Sequence, residues 1–121
     1  MQKKFQKNSF HEYVMGDLFA DMPDVKSRAM FGGYGIYKDG IIFAIIAEGK
    51  LYFKVSDINR NDYEEKGSKP FEYVMPSGKK MQMGYWELPE EVMEDREILH
   101  VWVGRAVAVS KAAKKKNIDV L

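Results

Sequence analysis

The chain contains no cysteine, which excludes a disulfide framework and a thiolate-bound metal. Histidine is scarce too. His11 and His100 are the only two, and a zinc site built on them would need several carboxylates brought in from elsewhere. No apolar run approaches the roughly 20 residues of a membrane-spanning helix. The N-terminal stretch MQKKFQKNSFHEY is basic but has no apolar segment of the kind a secretory signal carries. A surplus of one charge is also missing: 19 Lys+Arg stand against 18 Asp+Glu, a formal net charge of +1. Nucleic-acid-binding domains usually advertise themselves with a basic face, so this balance ranks direct nucleic acid binding last among the functional readings. Local clusters remain at Lys3, Lys4 and Lys7, and at Lys111, Lys114, Lys115 and Lys116. The expectation is a cytoplasmic protein of one domain over residues 1–121, with basic N-terminal residues, a lysine-rich C-terminal tail and no membrane segment.

What is present supports a core. Hydrophobic residues make up 45% of the 121 and aromatics 13%, which is enough bulky material for one folded domain. Ser9-Phe10-His11-Glu12 has the form of a capping box. Phe10, Val14 and Leu18 follow at helical spacing, and Pro23 closes this predicted helix. Asp39-Gly40 and Glu48-Gly49 each separate apolar runs, as tight hairpin turns do. They predict three consecutive strands at 33–38, 41–47 and 50–55. The middle one, IIFAIIA, is apolar on both faces, as a covered central strand would be. Asp57 is placed to cap a second helix running to Lys66, with Gly67 as its stop. KPFEYVM and KKMQMGYWEL read as two further strands, and Met81 and Met83 read as core on one face of the second.

HVWVGRAVAV is ambiguous. Its valines at even spacing suit a strand, but acids before it and bases after it suit a helix dipole. The helix over residues 96–114 is preferred, with Ile98, Val101, Trp102 and Val109 buried. The order is then α-β3-α-β2-α: a two-layer α+β fold with an antiparallel five-stranded sheet and helices packed on it.

The stretch RAMFGGYGIYKDG packs Gly32, Gly33 and Gly35 together. A phosphate-binding loop would need a lysine after its last glycine and a helix next. A dinucleotide fingerprint would need a third glycine at its sixth position ahead of a helix. Neither context is present, since the glycines lead into a strand. A bulge or a close backbone crossing at the sheet entrance is the plain structural reading. The functional alternative is a backbone nest that holds a small anion or nucleotide, with Arg28 beside it. No nucleophile-elbow motif accompanies Ser9, Ser56 or Ser110, so no catalytic residue is assigned and no cofactor is called for.

The segments KSRAMFGGYGIYKDGIIFAII, LYFKV, YEEKGSKPFEY and YWELPEEVMED together resemble the N-terminal domain of the TfoX/Sxy competence regulators. The Ser27-to-Gly35 signature is the most specific part, and the resemblance covers nearly the whole chain. It implies a two-layer fold of the same α-β3-α-β2-α order and makes the last segment a helix. It also implies no enzymatic activity, but a transcription-regulating coactivator that works with a cyclic-AMP receptor protein-like factor at bacterial competence promoters. The competence regulators carry a second helical domain beyond the point where this sequence stops. The surface expected to make protein–protein contact comprises Arg28, Met30, Phe31 and Tyr34, held by Gly32, Gly33 and Gly35. Arginine and aromatic residues are the usual anchors of interfaces. Edge strands and methionine-rich faces also suit a homodimer.

Overall fold

In the computed structural model, residues 7–30 and 32–120 are described. The two acid–glycine pairs turn the chain as expected. Asp39 and Gly40 take φ of +53° and +79°, and Glu48 and Gly49 take +55° and +76°. Both are positive in each pair, which is what a two-residue hairpin matched to the strand twist requires. They join β2 (Gly33–Lys38), β3 (Ile41–Ala47) and β4 (Lys50–Lys54).

The sheet has six strands among the described residues, not five. The additional strand, β1 (Val25–Met30), precedes β2 and pairs with it antiparallel. The remaining two are β5 (Pro70–Val74) and β6 (Lys80–Glu87), and the spatial order is β1-β2-β3-β4-β6-β5. Every pairing is antiparallel.

The helices also depart from the expected order. Helix α1 (Lys7–Tyr13) runs into a π-helical turn, Val14–Leu18. Ser9 therefore lies inside a helix rather than at its cap. Helix α2 (Arg60–Glu65) begins later than Asp57 predicts, with Asn59 at its N-cap position. Asn59 is buried, and its side chain accepts a hydrogen bond from the Ser56 N–H (2.9 Å) and donates one to the Lys54 carbonyl (3.1 Å). It welds the end of β4 to the helix start. A short helix α3 (Glu90–Met93) precedes α4 (Arg96–Val120). The last segment is thus helical, as preferred.

The core lies between one sheet face and the helices. Side chains directly opposite each other on paired strands share a face. The row Ile36–Ala44–Phe53–Trp86 and the row Tyr34–Ile46–Leu51 meet Val14, Leu18 and Phe19 from the N-terminal helical segment and Leu99, Trp102, Val103 and Ala106 from α4. A register shift between Ile36 and Tyr37 makes Phe43 an extra residue in β3. Such a bulge kinks the strand, and here Phe43 is fully buried, edge-on to both Phe19 and Phe53.

Two expected core groups lie elsewhere. Met81 is 43% exposed, because the far end of the β5–β6 hairpin reaches past the helical layer, where Tyr73 and Val74 are exposed as well. The side chain of Met83 lies outside the described residues. On α4, Ile98 and Val101 are exposed, while Leu99, Val103, Ala106, Val107 and Ser110 join Trp102 and Val109 inside.

Candidate functional site

The glycine-rich hairpin is built by β1 and β2. Met30 pairs with Gly33, so the turn between them holds two residues, and Gly32 takes φ of +81°. Phe31 lies outside the described residues. A Cβ on Gly33 would stand 2.0 Å from the carbonyl oxygen of Ile46. This is a close backbone crossing against β3, the plain structural reading of the glycine pair. Gly35 has a different role. A Cβ there would meet the Met30 sulfur at 2.8 Å, Ile42 at 3.1 Å and Tyr37 at 3.2 Å. The missing side chain leaves a dip that these three fill.

The hairpin divides the predicted site residues between two faces. Arg28 stands opposite Gly35, which stands opposite Ile45, then Tyr52, then Glu87. This row is the face away from the core, here called the outer face. Met30, Tyr37 and Ile42 share it, half-buried around Gly35. Arg28 is exposed, and its guanidinium carbon lies 6.0 Å from the centre of the Tyr37 ring, at the outer limit of a cation–π contact. Tyr52 is nearly covered, with Phe71 edge-on to it at 5.0 Å between centres. Burial, and then the charges of Glu87 and Glu48, raise the Tyr52 hydroxyl above the usual tyrosine value.

Tyr34 faces the other way and packs against the core. Its ring stacks on His11 at 3.7 Å between centres and 4° between planes. The His11 Nε2 is 2.7 Å from the Ser27 hydroxyl. His11 thus ties the N-terminal helix to the hairpin. Nothing in the sequence marked it, because its partners lie 16 and 23 positions away and no local pattern couples them.

The cavity at the glycine turn, lined by Gly32, Gly33, Tyr34, Ile46, Glu48 and Gly49, measures only about 10 Å³ and contains a carboxylate. Arg28 leans along the strand toward Tyr37, away from that turn. Neither feature favours an anion there. His100 sits on the surface with Arg96, both on the Asp21 carboxylate at 2.9 and 2.8 Å. The hydrogen bond from His100, with Arg96 beside it, holds that carboxyl below its ordinary value. Among the described residues no group of three His, Asp or Glu side chains could hold a metal, and no helix is long and apolar enough to cross a membrane.

The fold and the signature hairpin are joined by a direct match. The family profile of the TfoX N-terminal domain matches residues 17–110. The chain belongs to the TfoX N-terminal domain family. The match takes in all six strands and the glycine hairpin, whereas His11 precedes it. A search of curated proteins finds no match.

Proposed function

We propose that this TfoX N-terminal domain is a non-enzymatic regulatory module that works by protein–protein contact through the outer sheet face. One observation carries the reading. Among the described residues the helices pack mainly on one side of the sheet, and on the other Met30, Tyr37, Ile42 and Ile45 form a half-buried band beside exposed Arg28, with the end of α4 reaching only its margin at Tyr37 and Ile42. A flat apolar and aromatic surface with an arginine at its margin is the usual make-up of an interface centre. The family resemblance supports a partner class: a cyclic-AMP receptor protein-like transcription factor, with the domain proposed as coactivator of competence genes in the bacterial cytoplasm. The test is affinity capture from native lysate with wild type beside Arg28→Ala, followed by binding of the purified factor. A transcription factor retained by wild type and lost in the variant supports the reading. Equal retention by both, or none by either, overturns it.

A homodimer through the same face is a second reading, favoured by charge. The band runs from Arg28 at one end of its row to Glu87 at the other. A two-fold axis parallel to the strands through Ile45 would set Arg28 of each copy over Glu87 of its mate. Light scattering decides it. Arg28→Glu should yield monomers, and adding Glu87→Arg should restore the dimer. A monomeric wild type refutes it.

A further inference from the structure

The β3–β4 ladder ends at the pair Ala44–Phe53. Past that pair lies a cavity of about 290 Å³. Ile41 and Ile42 of β3 line it, with Tyr37, with Lys54 of β4 and with Tyr85 of β6, while α4 contributes Ser110, Ala113 and Lys114. None of these residues belongs to the glycine turn. The volume is near the lower end of ligand pockets, which combine an apolar lining with a few converging polar groups.

The polar groups here are of one kind. Lys54 and Lys114 bring two ammonium groups, and no carboxylate lines the cavity. Among the described residues neither lysine has an ion-pair partner, and Lys54 rests 4.8 Å above the Tyr85 ring. Ser110 is 7% exposed, and its hydroxyl has no hydrogen-bond partner among the described residues. A buried hydroxyl without a partner is costly and calls for an explanation. Tyr85 adds a phenol O–H, a hydrogen-bond donor near neutral pH. Donors therefore surround the cavity on several sides. Its walls at Ile41, Ile42 and Ala113 are apolar.

We infer that this cavity is a binding site for a small organic anion, a carboxylate on a flat apolar body. The head lies between Lys54 and Lys114, and the body rests against Tyr37, Ile42 and Tyr85. Ser110 gains from the ligand the partner it lacks. The cavity shares Tyr37 and Ile42 with the contact face proposed above, but its test turns on Lys54 and Lys114 rather than Arg28, so failure of one leaves the other standing.

The probe is 2-naphthoate, with neutral 2-naphthamide as its isostere, titrated into the ¹⁵N-labelled chain and followed by amide shifts. Saturable shifts should gather at Tyr37, Ile41, Ile42, Lys54, Tyr85 and Ser110. The anion should bind about tenfold tighter than the amide, the worth of a charged hydrogen bond. Lys54→Met with Lys114→Met should erase that preference while the amide still binds. Ala113→Leu, a change at an exposed position, should block both probes without lowering Tm. Scattered or non-saturating shifts overturn the inference. So does equal binding of the two probes, or a preference that survives the double lysine change.

Discussion

Replacing Gly33 with alanine tests the close crossing at its tightest point. The new Cβ would lie 2.0 Å from the Ile46 carbonyl oxygen and 3.2 Å from its carbon. Both are backbone atoms, so no side chain can swing aside. Real Cβ contacts essentially never fall under 3.0 Å, so β2 and β3 must part by about an ångström beside the Tyr34–Ile46 pair. Two ladder hydrogen bonds weaken, each worth about 1 kcal/mol, and the packing around Ile46 loosens; a total near 3 kcal/mol is expected. For a chain of this size that corresponds to a Tm lower by about 12 °C. In urea, with a slope of about 1.5 kcal/mol/M, the midpoint should fall by about 2 M. Gly104→Ala is the matched control. Gly104 is exposed on α4, and a Cβ there meets nothing within 4 Å. It should stabilise by about 0.8–1.0 kcal/mol through helix propensity. A Gly33→Ala midpoint equal to wild type, with Gly104→Ala behaving as expected, would refute the crossing argument.

Two further outcomes follow from buried and paired groups. Tyr63 is 1% exposed, its ring sits among Trp86 and Trp102, and its hydroxyl has no partner among the described residues. Burial raises its pKa, and Tyr63→Phe should stabilise by about 1 kcal/mol in urea unfolding, since it removes an unsatisfied hydroxyl; a clear loss would reveal a partner. Asp21, held below its ordinary value of 3.8 by His100 and Arg96, contributes stability above that value. The contribution is lost as pH falls through the lowered folded pKa. Wild type should therefore exceed Asp21→Asn in stability near neutrality, and the gap should close in acid; a gap constant with pH would contradict the pairing.

Local chemistry was legible and tertiary chemistry was not. The Asp39-Gly40 and Glu48-Gly49 turns were readable because two residues decide their backbone angles. Strand β1 leaves no signature in the sequence because it is an edge strand. Lys26, Arg28 and Ala29 are exposed and only Val25 is fully buried, so no alternation betrays it. On α4 the evenly spaced valines point to Val101 as inward, yet it is exposed. The true inward stripe runs Leu99, Trp102, Val103, Ala106, Val107 and Ser110. Its spacing is helical, but alanine and serine disguise it. Gly33 does open a strand, as the sequence suggests, but the chain is already in the sheet at β1, so the glycines lie in a hairpin turn and not at the sheet entrance. The hairpin's division into an Arg28 face and a Tyr34 face depends on register, which a one-residue slip would invert. The Lys54–Lys114 cavity joins strands to a helix some 60 positions away in sequence, and no local signal announces it.

The sheet order has a kinetic corollary. β6 lies between β4 and β5, so the sheet consists of two blocks of chain, residues 25–54 and 70–87. Each block closes by short hairpins, which form quickly. The blocks meet along only three pairs, Tyr52–Glu87, Phe53–Trp86 and Lys54–Tyr85. This seam closes only after the chain has doubled back through α2, so docking of the two halves is the slow, non-local event of folding. The cavity opens beside that same seam, with Ile42 from one block and Tyr85 from the other in its walls. A molecule seated there would act as a staple across the joint, slowing its opening as well as being bound by it.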